Sequence, residues 1–87
     1  MVRVFYSEHF LQYAKKLNEK QQAKFARLVV LLRENPYHSQ LHTKFLSGKF
    51  SGIYSIRITR DLRALFKFLS PDKILLVDVG NRKDIYR

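Results

Sequence analysis

Two stretches of this 87-residue chain hold side chains able to grip a phosphate and move a proton. Between residues 43 and 63 lie Lys44, Lys49, Arg57, Arg60 and Arg63, opposed only by Asp61. A second group, Asn81, Arg82, Lys83, Asp84, Ile85, Tyr86 and Arg87, follows Gly80 directly after an apolar run. Guanidinium is a planar fork that holds phosphoryl oxygens two at a time, and lysine adds a point charge. A phenol or imidazole alongside supplies a transferable proton. If Arg57 and Arg63 lie on adjacent strands and Arg82 ends the third, hairpin register brings them to one sheet face, with the Lys44–Lys49 loop beside it. The competing reading is a solvated surface, since strand arginines often serve only solubility and edge protection. His38 and His42, in the loop before Lys44, are open to a catalytic or a turn role, because a flexible loop fixes no imidazole by itself. His9 reads as a surface residue, and Tyr6, Tyr13 and Tyr37 as packing aromatics.

Composition narrows the chemistry. Seventeen Lys and Arg against seven Asp and Glu give a net charge of +10 and a pI near 10.2, which favours a polyanionic partner, nucleic acid first. The chain has no cysteine, so disulfides, thiolate zinc sites and thiol catalysis are excluded, and three histidines make a poor metal site. A glycine-rich phosphate loop and a carboxylate pair in a shared apolar setting are missing too. No metal and no cofactor are therefore expected. No apolar run approaches the roughly 18 residues of a membrane span, and the first residues lack a signal-peptide core, so a soluble cytoplasmic protein is expected.

The elements that must position these residues follow from periodicity. Apolar residues make up 46% of the chain, with seven Phe and five Tyr, enough for one core and one domain over residues 1–87. Residues 2–6 (VRVFY) form a strand, and Ser7 caps a helix over 8–17 with Phe10, Tyr13, Ala14 and Leu17 on one face. A second helix over 19–34 places Phe25, Leu28, Val29 and Leu32 on one stripe and stops at Asn35-Pro36. After a loop come three apolar runs, 53–58, 62–69 and 73–79, separated by the short turns Thr59-Arg60-Asp61 and Ser70-Pro71-Asp72. Alternation places Leu62, Ala64, Phe66 and Phe68 toward the core, with Arg63 and Lys67 projecting on the opposite side. The expected architecture is α+β, ordered β-α-α-β-β-β, with a two-helix hairpin on one face of a mostly antiparallel four-stranded sheet.

Several of these residues share an order and spacing with a known family. They are the Asn35-Pro36 loop, an L-x-G-x-x-x-G-x-Y-x-x-R segment (Leu46, Gly48, Gly52, Tyr54, Arg57), a D-x-R strand start (Asp61, Arg63) and an R-x-D-I-Y ending (Arg82, Asp84, Ile85, Tyr86). Together they resemble the RelE/ParE superfamily of toxin–antitoxin toxins over essentially the whole chain. The resemblance implies the fold just read. It also implies a metal-independent endoribonuclease that cuts mRNA, on the 70S ribosome in many relatives, and is silenced by an antitoxin expected here to be acidic. In that chemistry the RNA's own 2′-hydroxyl attacks the adjacent phosphate. The implied catalytic residues are Arg63, Arg82, Tyr86 and Lys49, and the implied RNA-binding residues are Lys44, Arg57, Arg60, Asn81 and Lys83.

One position departs from the family pattern: Asn81 precedes Arg82 where many relatives carry histidine, and an amide exchanges no proton near neutral pH. Proton transfer then falls to Tyr86, Lys44, Lys49 or a loop histidine. The departure keeps a second reading open, a ParE-type inhibitor of DNA gyrase without nuclease activity. A double-stranded RNA-binding module fits the charge but not the order of elements.

Overall fold

Ser7 ties the first strand, the first helix and the last strand together. Its hydroxyl oxygen accepts the Phe10 N–H at 3.0 Å, capping helix α1 (Glu8–Ala14), while the same hydroxyl donates to the Val77 carbonyl at 3.2 Å. The computed structural model describes residues 1–86; Arg87, the last of the terminal cations, lies outside the described residues. Strand β1 (Arg3–Tyr6) precedes Ser7, and helix α2 (Glu19–Glu34) follows α1 after a capping box in which Asn18 and Gln21 exchange side-chain bonds to each other's backbone N–H at 2.8 and 3.0 Å. Asn35 ends α2 in extended backbone before Pro36, as the proline dictates.

The remaining chain builds strands β2 (Lys44–Phe45), β3 (Tyr54–Arg57), β4 (Leu62–Ser70) and β5 (Lys73–Asn81), then a four-residue helix α3 (Arg82–Ile85). The sheet runs β1-β5-β4-β3-β2, with β1 parallel to β5 and every other pair antiparallel. The class and the mostly antiparallel sheet are those read from the sequence, but the described residues form five strands where four were expected. The fifth, Lys44–Phe45, is too short for alternation to reveal. It pairs with Ser55 and Tyr54 because the chain folds back sharply through Gly48 and Gly52, both at positive φ. The expected helix hairpin is also altered. Helix α1 lies against β5, and α2 lies against β1 and the 3₁₀ turn Ser39–Leu41, while the Phe10 and Phe25 rings approach to 5.4 Å.

The core fills the helix side of the sheet. Phe10, Leu28, Leu32 and Leu41 close on Ile56, Ala64, Phe66, Ile74 and Leu76, all buried, and each of the Leu, Ile and Phe side chains contributes about 1.5–3 kcal/mol. Leu62, Ala64 and Phe66 take the core side as alternation requires, with Phe68 packed against them. In β5 alternation alone fails. Leu65 pairs with Asp78 and Phe66 with Leu76, so Val77 is an extra residue in the ladder. This bulge lets Ile74 and Leu76, and then Val79, enter the same core cluster. It also brings Asp78 and Gly80 opposite Leu65 and Arg63.

A candidate phosphate-binding hollow on the second sheet face

The second face of the sheet is built from cross-strand rows. Lys44 pairs with Ser55 and Ser55 with Leu65; one step along, Arg57 pairs with Arg63 and Arg63 with Gly80. Directly paired residues share a face, so Lys44, Ser55, Arg57 and Arg63 stand together. Helix α3 lies across β4 and β5, and its Ile85 is buried, as is Leu65, apart from the helix-side core. The result is a hollow of about 230 Å³ lined by His42, Lys44, Ser55, Arg57, Arg63, Arg82 and Tyr86.

Arg63 is its most constrained member. The sequence reading had this side chain projecting; instead it is 8% exposed. Its Nη1 donates to the carbonyls of Thr59 at 2.7 Å, Arg60 at 2.8 Å and Leu62 at 3.4 Å, which fixes the guanidinium to the β3–β4 turn. Those three carbonyls engage Nη1 alone, so the planar group is oriented by one corner. Burial pushes the Arg63 guanidinium below its ordinary value and Arg57 and Arg82 push the same way, while Tyr86 and Asp61 oppose them. An arginine nonetheless keeps its charge. Several cations held together, with Arg63 buried among them and little carboxylate to balance them, form a site for an anion.

Helix α3 is fixed at both ends of this arrangement. The Arg82 N–H donates to the Asp61 carbonyl at 2.8 Å, joining the helix start to the turn that holds Arg63. At the other end Tyr86 stands edge-on to Phe50, with ring centroids 6.1 Å apart, and lines both the cationic hollow and a neighbouring one of about 280 Å³ with Lys44, Phe45 and Phe50.

Five of the residues expected at the site therefore line one hollow: Lys44, Arg57, Arg63, Arg82 and Tyr86. Four do not. Lys49 lies in the 3₁₀ turn Gly48–Phe50 with Nζ 5.3 Å from the Phe50 ring centroid, outside the lining. Arg60 is exposed and meets Arg63 through its carbonyl. Asn81 caps α3, its Oδ1 accepting the Lys83 N–H at 3.0 Å, and it borders a separate hollow of about 400 Å³ beside the His9–Asp78 contact. Lys83 is exposed and takes part in that cap through its backbone. Conversely, the lining includes Ser55, which the sequence reading did not assign, and His42, which it left open between a catalytic and a turn role. Ser55 was accessible from its spacing of two from Arg57 on one strand. Among the described residues no cluster of His, Asp and Glu is arranged to hold a metal ion, and no helix is long and apolar enough to cross a membrane.

No protein-family model matches the chain, and no curated relative matches it by sequence. Solved structures do. YafQ from E. coli superposes with a TM-score of 0.82 at 18% identity, with 100% of both chains covered. The YoeB/ParE toxin from Agrobacterium tumefaciens gives 0.78 at 14%, over 93% of this chain and 99% of that one. A chain of the archaeal RelE–RelB complex from Pyrococcus horikoshii OT3 gives 0.78 at 16%, over 95% and 97%. The chain has the RelE/ParE toxin fold.

Proposed function

We propose that this chain uses the RelE/ParE fold as the toxin of a toxin–antitoxin pair, acting as an endoribonuclease on mRNA. The observation that carries the reading is the convergence of Arg57, Arg63, Arg82, Lys44 and Tyr86 on one hollow, with Arg63 buried and locked in orientation. A phosphate seated there is met by forked donors, of which Arg63 is set in position before it arrives. Preorganised donors of this kind stabilise the negative charge that grows on phosphoryl oxygens in the transition state. The nucleophile is the RNA's own 2′-hydroxyl, so the chemistry requires no metal-bound water.

On this reading the substrate is mRNA on the 70S ribosome, in the cytoplasm, and the antitoxin is an acidic protein covering the cationic face. Complexes such as RelE–RelB on the same fold support a protein partner. The test is induced expression without an antitoxin, followed by primer extension on translated reporter transcripts. New 5′ ends within codons are expected, together with growth arrest. Intact transcripts accompanied by gyrase-linked DNA breaks would overturn the reading in favour of a gyrase inhibitor.

A further inference from the structure

Resting on the ribonuclease reading, we infer that His42 is the catalytic residue that removes the proton from the attacking 2′-hydroxyl. The hollow poses a chemical problem that its other residues do not solve. Around His42 stand Lys44 from β2, Arg57 from β3, Arg63 from β4, and Arg82 and Tyr86 from α3. The arginines hold their protons at every working pH, and lysine and tyrosine ordinarily titrate near 10. Imidazole, with an ordinary pKa of about 6.5, is the side chain of this set suited both to accept and to return a proton near neutrality. Asn81 does not fill that role, since its amide oxygen is engaged in capping α3.

A histidine in a wandering loop would be a poor base, but His42 is held. It has φ 51° and ψ 44°, and among the described residues it is the non-glycine residue in the left-handed region. Non-glycine residues keep that conformation only where their surroundings impose it. Here the surroundings do so on both sides. Leu41, immediately before, is fully buried in the core and its N–H donates to the His38 carbonyl at 2.9 Å. The His42 N–H donates to the Ser39 carbonyl at 3.3 Å, and the hydroxyl of Thr43, immediately after, donates to the Pro36 carbonyl. Two residues later Lys44 enters the sheet. The left-handed turn is thus the point at which the chain leaves the core and passes the rim of the hollow.

The proposed step balances without any further reagent. Neutral His42 takes the 2′-hydroxyl proton as the O2′–P bond forms. The P–O5′ bond breaks with its electron pair on O5′, which takes the Tyr86 phenolic proton. The imidazolium then returns its proton to the phenolate through solvent. The products are a 2′,3′-cyclic phosphate and a 5′-hydroxyl.

The test compares wild type with His42→Asn and His42→Gly on a translated reporter mRNA with 70S ribosomes. Both replacements tolerate left-handed backbone, so the turn is retained. Wild-type cleavage is expected to rise as pH increases from acid toward neutral, and His42→Asn to cut on the order of 10²-fold more slowly with that rise lost. Added imidazole should restore part of the rate of His42→Gly, because it enters the space the ring vacates. RNA affinity should be little changed, which separates His42 from the phosphate-holding arginines. A His42→Asn protein with the wild-type rate and pH profile overturns this inference alone. A wild-type protein that leaves the mRNA intact overturns the ribonuclease reading and this inference with it.

Discussion

The two faces of this sheet are made from the same strands and spend their residues differently. Toward the helices, Ile56, Ala64, Phe66, Ile74 and Leu76 are buried against Phe10, Leu28 and Leu32, and burial there produces stability. On the other face, Arg57, Arg63, Ser55 and Gly80 occupy the neighbouring positions of the same strands, under a helix of four residues. Apolar residues at those positions would extend a second core, whereas the cations there repel one another. The contrast shows a division of labour: one face holds the strands in register so that the other can keep like charges together.

Substitutions on each side break the contrast in different observables. The largest effect is expected from Phe66→Ala on the core side, a loss of about 3–5 kcal/mol in urea unfolding. A loss below 1 kcal/mol would mean that the helix-side core does not carry the fold. On the proposed ribonuclease reading, Arg63→Lys keeps the charge but not the fork, so mRNA cleavage should fall on the order of 10²–10³-fold while the unfolding midpoint moves far less. If stability collapses and activity follows it, the division between the faces fails. Asn81→Ala removes the cap of α3 and should cost about 1 kcal/mol, seen as faster amide exchange in residues 82–85 with the β4 and β5 amides unchanged.

The smallest effect lies at the β4–β5 turn, remote from both faces. The Ser70 hydroxyl donates to Asp72 Oδ1 at 2.8 Å and holds that carboxyl below its ordinary range. A depressed carboxyl adds stability above its unfolded-state pKa and loses it as pH falls through the folded-state value. Ser70→Ala should therefore lower stability slightly at neutral pH and not at all once Asp72 is protonated, as paired urea titrations at neutral and at strongly acid pH would reveal.

Much of this organisation was legible in residue spacing because it depends on local rules. Ser7, Asn18 and Asn35-Pro36 mark helix ends through capping and proline geometry, and alternation put Leu62, Ala64 and Phe66 on the core side. What escaped depends on contacts between distant segments. The bulge at Val77 resets which β5 residues face the core, yet nothing in the run KILLVDV announces it. Strand β2 exists only because Lys44 and Phe45 find β3. Arg63 looked solvated because the sequence does not tell that α3 folds over it or that Nη1 is claimed by three turn carbonyls. Lys49 and Asn81 were grouped with the site by charge and position, whereas their side chains meet Phe50 and the α3 backbone.

The parallel pairing of β1 with β5 carries a consequence for how the protein is made. Arg3 aligns with Lys73 and Tyr6 with Leu76, so the first strand synthesised has no partner until almost all of the described chain has followed. Contacts that span so much sequence form late and slowly. The β3–β4–β5 meander can assemble from neighbours, but β1 and the Ser7 bond to Val77 close only at the end. During translation β1 therefore waits unpaired until β5 has followed, and the cationic hollow, which needs α3, is completed only after β5.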